Sequence, residues 1–454
     1  MAVAQTYSTA ELVAKDKAHM VHPITNLKQN LANGPLVLQK GEGVYLWDTD
    51  GNRYIDAFAG LWNVNVGHGR HELAIAAAEQ IDEVAFVPTF FGLGAPPTIE
   101  LAAKLAEMFP GPLNHIHFTS GGAESNESAL KIARYYWYLK GQPDKIKILC
   151  RKHGYHGIAM GSLAATALPG YHDGFGPGVP GFIHLSAPHN YRFNVDNLDE
   201  AGFVAQLVAE LESTIAAEGA DTIAAMIAEP VQGAGGVVVP PASYWQAITP
   251  ILKKHNILLI ADEVICGFGR TGSMFGMQTY DFQPDLASFA KGVTSGYIPL
   301  GGVAISDEVF DVMAEPDRVF MHGFTYSGHP VACAVGLRNI QIIEDENLPA
   351  NAKAMGDYLL GELQRLVGDH QHVGNVRGKG LMFMVEFAAD RSTKSKLDPA
   401  QNYAGKLTAA TRKRGIIVRA SNDGIAISPP LIINREQCDT IAAAIAESIE
   451  EVLV

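Results

Sequence analysis

The chain has 454 residues, 47% hydrophobic and 18% charged, which excludes an intrinsically disordered chain and, at this length, a single small binding module. Its 34 Lys and Arg against 48 Asp and Glu leave a net charge of −14 without any dense basic block, so nucleic acid and anionic membranes are poor partners. The four cysteines stand far apart with no Cys-x-x-Cys, which suggests neither a disulfide framework nor a zinc knuckle and fits a reducing, cytoplasmic setting.

The N-terminal residues show no basic stretch leading into an apolar one, and no apolar run approaches the roughly 18 to 20 residues that span a bilayer, so an unexported, soluble protein is expected. Residues 36–56 hold two alternating apolar stretches, Leu36-Val37-Leu38 and Val44-Tyr45-Leu46-Trp47, with the turn Asp48-Thr49-Asp50-Gly51-Asn52 after the second. A small antiparallel sheet is predicted there. Farther on, helical stretches alternate with short, nearly all-apolar strands at Ile148-Leu149-Cys150, at 222–228 and at Ile257-Leu258-Leu259-Ile260-Ala261. Strands without polar alternation are buried on both faces, which predicts a mainly parallel α/β sheet with its sites at the strands' C-terminal ends. Past residue 330 a long helix over 330–344, strands over 381–386, 416–419 and 425–428, and a last helix from Arg435 predict a second α+β unit. The polar tract 389–402 reads as a loop, and no internal repeat is visible.

Three features carry chemistry. In Phe118-Thr119-Ser120-Gly121-Gly122-Ala123-Glu124, a strand enters a Ser-Gly-Gly turn that opens a helix expected to run to about Leu139, and free N–H groups with the helix dipole make such a turn an anion site. The apolar strand ending in Asp262-Glu263 places a carboxylate where burial is costly unless a cation faces it. Lys291, in Ala290-Lys291-Gly292, ends another apolar strand, either reaching to the surface or desolvated enough to be a nucleophilic amine. Gly267 to Gly272 also spells Gly-x-Gly-x-x-Gly, but it follows no first strand of a βαβ unit and opens no helix, which argues against a dinucleotide. His153, His156, His115 and His117 have no Asp, Glu or Cys set that completes a metal site, so no metal is expected. A phosphate cradle, a carboxylate for a ring cation and an amine for a Schiff base are together the anchors of pyridoxal 5′-phosphate.

At this point the chain resembles the class III, fold type I pyridoxal-phosphate aminotransferases, and among them the ω-amino acid or amine:pyruvate transaminases. The likeness runs from Gly41-Glu42-Gly43-Val44-Tyr45-Leu46-Trp47-Asp48 to Ser428-Pro429-Pro430-Leu431, with the run from Asp262 to Gly272 and Ala290-Lys291-Gly292 its most specific parts. The resemblance implies a large domain with a mainly parallel sheet over 66–330 and a smaller α+β domain built from both chain ends, 1–65 and 331–454. It makes Lys291 the Schiff-base lysine and Asp262 the partner of the pyridine nitrogen, with Val264 and Tyr155 on the two ring faces. Glu229 is the implied supporting carboxylate and Gln232 the amide near the ring oxygen. Ser120, Gly122 and Ala123 fall where the family binds phosphate, and Thr325 resembles a threonine reaching that phosphate from the partner subunit. Trp62, Tyr155 and an aromatic of the partner's Phe90-Phe91 pair would shape the substrate pocket. Arg419 resembles the mobile arginine that pairs with the keto acid's carboxylate. Many relatives carry a serine where Ala123 stands, which leaves backbone N–H groups and Ser120 or Thr119 to replace its hydroxyl. The implied reaction is a ping-pong transfer of an amino group to pyruvate from β-alanine, a diamine such as putrescine, or an aryl-alkyl amine. The implied assembly is a homodimer with shared active sites, a homotetramer being the open alternative. A 4-aminobutyrate aminotransferase, aminomutase or decarboxylase of the same class, or an inactive scaffold, is the competing reading.

Overall fold

The apolar stretches near the N-terminus pair as a meander in which β1 (Leu38–Glu42), β2 (Tyr45–Asp48) and β3 (Arg53–Asp56) run antiparallel. The computed structural model of the protein describes residues 7–421 and 423–453. Asp48 ties the β2–β3 turn, accepting from the backbone N–H groups of Asp50 (3.0 Å) and Asn52 (2.8 Å) and from the Tyr54 hydroxyl (2.8 Å). An Asx side chain that bonds backbone two residues on is what fixes such turns.

The central sheet holds seven strands: β4 (His115–Thr119), β5 (Lys147–Arg151), β6 (Phe182–Leu185), β7 (Ile223–Ala228), β8 (Leu258–Asp262), β9 (Leu286–Phe289) and β10 (Gly301–Ile305). Their order is β4-β10-β9-β8-β7-β5-β6, with β10 antiparallel to both its neighbours and the other pairs parallel. Every residue of β7, β8 and β9 is buried, because alternate side chains serve two cores. Ala225 and Ile227 join Ala129, Ile132 and Trp137 of the helix Gly122–Leu139, whereas Met226 and Ala228 join Phe203 and Leu207 of Glu200–Glu218 and Trp245 of Tyr244–Lys254. Helices on both faces leave no room for polar alternation, which is why these strands read as unbroken apolar runs.

The C-terminal part builds an antiparallel sheet of order β11-β12-β15-β14 from β11 (Val373–Gly378), β12 (Phe383–Phe387), β14 (Arg419–Ser421) and β15 (Gly424–Ile427). Between them, β13 (Ile416–Ile417) runs parallel to β3 and completes the N-terminal sheet as its fourth strand. The helices Pro330–Asp345 and Arg435–Val452 lie where the periodicity put them, but Leu348–Val367 and β11 have no counterpart in the sequence reading. That helix starts after a left-handed Asn347 (φ 47°) with Pro349 in its first turn, a pattern that reads as a stop. β11 is half-buried along most of its length and so shows no apolar run. The tract 389–402 is mostly turn, with a bridge between Asp390 and Ser395 and a short helical turn Pro399–Gln401.

Arg270, fully buried, locks these parts together by donating to the carbonyls of Leu381 (3.3 Å) and Pro429 (2.6 Å) and to Asn65 Oδ1 (2.6 Å). Among the described residues no helix is long and apolar enough to cross a membrane, and no group of three or more His, Cys, Asp or Glu could hold a metal ion. All four cysteines are free and buried.

Candidate active site

The C-terminal ends of β4, β5, β7, β8 and β9 converge on a cavity of about 360 Å³. At the end of β4, Gly121 precedes the helix Gly122–Leu139, and no side chain caps that N-terminus. The first helical N–H with an intrahelical acceptor is that of Ser125, bonded to Gly121 O at 2.9 Å. The N–H groups before it are therefore open to an anion at the positive end of the helix dipole. Glu124 does not compete for them, since its carboxylate accepts from Ser120 N (2.8 Å). Gly122 is needed for packing, because a Cβ there would lie 2.8 Å from Val264 Cγ1.

Asp262 closes β8 and is 3% exposed. Three donors grip its carboxylate: Asn126 Nδ2 (2.8 Å) and His156 Nδ1 (2.7 Å) on Oδ2, and Val264 N (3.1 Å) on Oδ1. Asn126 also donates to His156 O at 2.8 Å, so the helix, the 154–157 loop and the strand end are pinned at one point. Neighbouring Glu263 faces away and accepts the N–H groups of Gly276 (2.8 Å) and Met277 (2.7 Å).

Lys291 follows β9 with a left-handed backbone (φ 43°), a conformation non-glycine residues take mainly where the surroundings impose it, and one that clusters at functional sites. Its side chain lines the cavity, and burial holds its ammonium below the usual lysine range against the pull of Asp262 and Glu229. Glu229, at the end of β7, accepts from Tyr155 N (3.0 Å) and Gly233 N (2.8 Å), and burial raises its carboxyl to about 6.

Of the residues singled out from sequence, Ser120, Gly122, Ala123, Tyr155, Glu229, Asp262, Val264 and Lys291 line this cavity together. Gln232 lies behind it, donating to Lys152 O (2.9 Å) with its Oε1 buried and without a donor. Thr119 does not reach it: the hydroxyl is buried against Ser125 Oγ (2.8 Å) and Gly121 O (3.3 Å), which leaves Ser120 and backbone N–H groups as the cradle. Trp62 is 2% exposed and packs edge-on against Phe58, whereas Leu61 and Asn63 line the cavity. Arg419 lies outside the cavity, its guanidinium over the Phe58 ring. Thr325 and Phe91 stand on the surface, Phe91 at 97% exposure, with the Phe90 ring 5.9 Å from that of Phe91.

Sequence reasoning considered His156 only as a metal ligand, giving it no role, and passed over Asn126. Their partner Asp262 is 106 and 136 residues away respectively, so no local spacing marks them; the one signal is that His156 adjoins Tyr155 and Asn126 lies two residues past Glu124.

A seven-stranded sheet with one antiparallel strand, carrying a lysine, a carboxylate and an anion cradle at its strand ends, has the fold type I architecture. The chain belongs to the class III aminotransferases, whose family profile, Aminotransferase class-III, matches residues 27–449. A putrescine–pyruvate aminotransferase of Pseudomonas aeruginosa is 43% identical over 436 residues, covering 95% of this chain and 94% of that protein. A thermostable (S)-enantioselective omega-transaminase from Thermomicrobium roseum superposes with a TM-score of 0.98 at 63% identity, covering 99% of this chain and 100% of the other. The omega transaminase of Pseudomonas jessenii, solved in complex with PMP, gives a TM-score of 0.95 at 42% identity over 97% of this chain and 98% of its own.

Proposed function

We propose that this enzyme holds pyridoxal 5′-phosphate in the 360 Å³ cavity and moves an amino group from a primary amine or ω-amino acid to pyruvate. The observation that carries the reading is the convergence on that one cavity of the Lys291 amine, the Asp262 carboxylate and the uncapped helix N-terminus. These residues fit the group. The N–H groups of Gly122 and Ala123 would hold its phosphate, Val264 and Tyr155 would flank its ring and Asp262 would face the ring nitrogen, while Gln232 would take the ring oxygen only by turning its Nε2 away from Lys152 O. When bound, the group supplies an aldehyde for the amine and a ring that withdraws electrons from the carbon losing its proton.

The protein's own part is to orient and to move protons. Asp262, fixed by His156, Asn126 and the Val264 N–H, is a preorganised partner for a protonated ring nitrogen. Lys291, whose charged form burial disfavours, is the amine placed to act both as nucleophile and as the base that carries a proton to and from Cα. Arg419 would take the acceptor's carboxylate in the two-pronged way a guanidinium allows.

The cavity walls bear on the donor. Leu61, Ile158, Ile265, Ile298 and Leu300 are apolar, and the carboxylates lining the cavity are Glu229 and Asp262, both already engaged by hydrogen bonds. A distal ammonium would find no free carboxylate among these lining residues, which favours an aryl-alkyl amine over a diamine. A homodimer, with Thr325 and Phe90 or Phe91 crossing to the partner's site, is supported by the exposure of Phe91 and of Tyr326, which is 60% exposed.

The test is the visible spectrum of the purified protein with pyridoxal phosphate, before and after β-alanine, putrescine or 1-phenylethylamine in separate cuvettes, each followed by pyruvate. We expect a yellow band that 1-phenylethylamine bleaches most strongly and pyruvate restores. A protein that stays colourless overturns the function, and preference for putrescine overturns the donor class. Lys291→Ala is expected to abolish turnover, and measurable multiple turnover in that variant would remove Lys291 from its role.

A further inference from the structure

Arg419 stands on the edge strand β14, and its guanidinium carbon lies 5.7 Å from the centroid of the Phe58 ring. Among the described residues no carboxylate pairs with it. Phe58 is 5% exposed and meets Trp62 edge-on, ring centroids 4.8 Å apart. The segment beneath the ring is held rigidly: Asp56 accepts from Phe58 N (3.2 Å) and Gly60 N (2.6 Å) and contacts His68 Nε2 at 2.8 Å. Ala59, Gly60 and Trp62 all have left-handed φ, at 45°, 63° and 63°. Such conformations persist only where the surroundings over-determine them, so the Phe58 face is presented in one orientation. Neither Phe58 nor Arg419 lines the cavity, yet the positive charge of Arg419 reaches into it and helps hold the Lys291 ammonium down.

A guanidinium on an aromatic face, beside a site and without an anion, is in a state that capture of a carboxylate must break. We propose that Phe58 is a positioning residue that competes with the keto acid's carboxylate for Arg419, so that the Phe58 ring sets the acceptor KM. The competition follows from the reading above, in which Arg419 receives the acceptor's carboxylate.

The experiment compares Phe58→Leu with the wild-type holoenzyme, varying pyruvate and a donor that has no carboxylate, 1-phenylethylamine. Leucine keeps apolar bulk but has no ring face, and the expected result is a pyruvate KM lower by about two- to thirty-fold, the range cation–ring contacts cover between exposed and desolvated settings. The kcat and the donor KM should stay as in the wild type, and Phe58→Tyr, which keeps the ring, should keep the pyruvate KM. In an Arg419→Ala background the Phe58→Leu change should have no effect on pyruvate KM. An unchanged or raised pyruvate KM, or the same change without Arg419, overturns the proposal. Should Phe58→Leu fail to fold, Phe58→Met carries the same comparison. A second readout needs no activity: phenylglyoxal labelling of Arg419, followed by peptide mass mapping, should run several-fold faster in Phe58→Leu. Equal labelling rates overturn the platform, whereas faster labelling in a protein that shows no keto-acid-dependent turnover supports the platform and overturns the functional reading instead.

Discussion

Glu263 offers a sharp test of the electrostatics around β8. It is fully buried, and its carboxylate receives the backbone N–H groups that open the short helix Gly276–Thr279. Burial raises its carboxyl from 4.5 to about 7. A group that holds its proton more tightly folded than unfolded makes the folded state the richer in protons between those two values, so stability falls as pH rises through that window. Integrated from pH 5 to pH 8, one such group lowers the unfolding free energy by about 2.5 kcal/mol. Glu263→Gln cannot ionise, so relative to wild type it is expected to gain about 2.5 kcal/mol over the same range. Glu229 and Asp285, whose carboxyls burial also raises to about 6, are present in both proteins and cancel from the difference. Urea midpoints read by tryptophan fluorescence at pH 5, 6, 7 and 8 give that difference directly. If the two proteins keep a constant separation across the series, Glu263 is not a neutralised buried acid and the reasoning fails.

Other expectations concern the cradle, the Asp262 clamp and the packing around them. Ala123→Ser adds a hydroxyl beside the proposed phosphate site, and since a bond to a charged group is worth about 1.5–3 kcal/mol, cofactor should bind at least about ten-fold tighter in a titration of the apoprotein. His156→Leu deletes the 2.7 Å contact to Asp262; kcat should drop by about 10- to 100-fold in steady-state assays while the urea midpoint shows the protein still folded. A Cβ on Gly235 would lie 1.9 Å from the carbonyl oxygen of His153, so Gly235→Ala should cost about 3 kcal/mol or more in the same denaturation assay. Gly361→Ala, in the helix Leu348–Val367 with nothing within 4 Å of the added atom, should instead stabilise by about 0.4–1 kcal/mol.

What could be read without the structure was whatever burial writes locally. β7 and β8 announce themselves because both faces are covered, and a charged residue at the end of such a strand stands out, which is how Asp262 and Lys291 were found. The Ser-Gly-Gly turn was legible for the same reason: the helix behind it runs to Leu139 and its apolar face is continuous. Long-range partnership was not legible. Whether Thr119 faces a ligand or Ser125, and whether Trp62 lines a pocket or backs Phe58, depends on elements that the chain order does not place side by side. His156 looked like a loop histidine because its meaning lies in a carboxylate on another strand.

The pairing of β13 with β3 sets an order of events during synthesis. Ile55 and Asp56 leave the ribosome some 360 residues ahead of Ile416 and Ile417, the residues they pair with, and contacts between chain segments so far apart close slowly. The central sheet, whose strands lie between His115 and Ile305, can therefore assemble while the first sheet still has an open edge at β3. A nascent chain must keep that edge from pairing elsewhere, which leaves this meander dependent on protection until β13 has emerged.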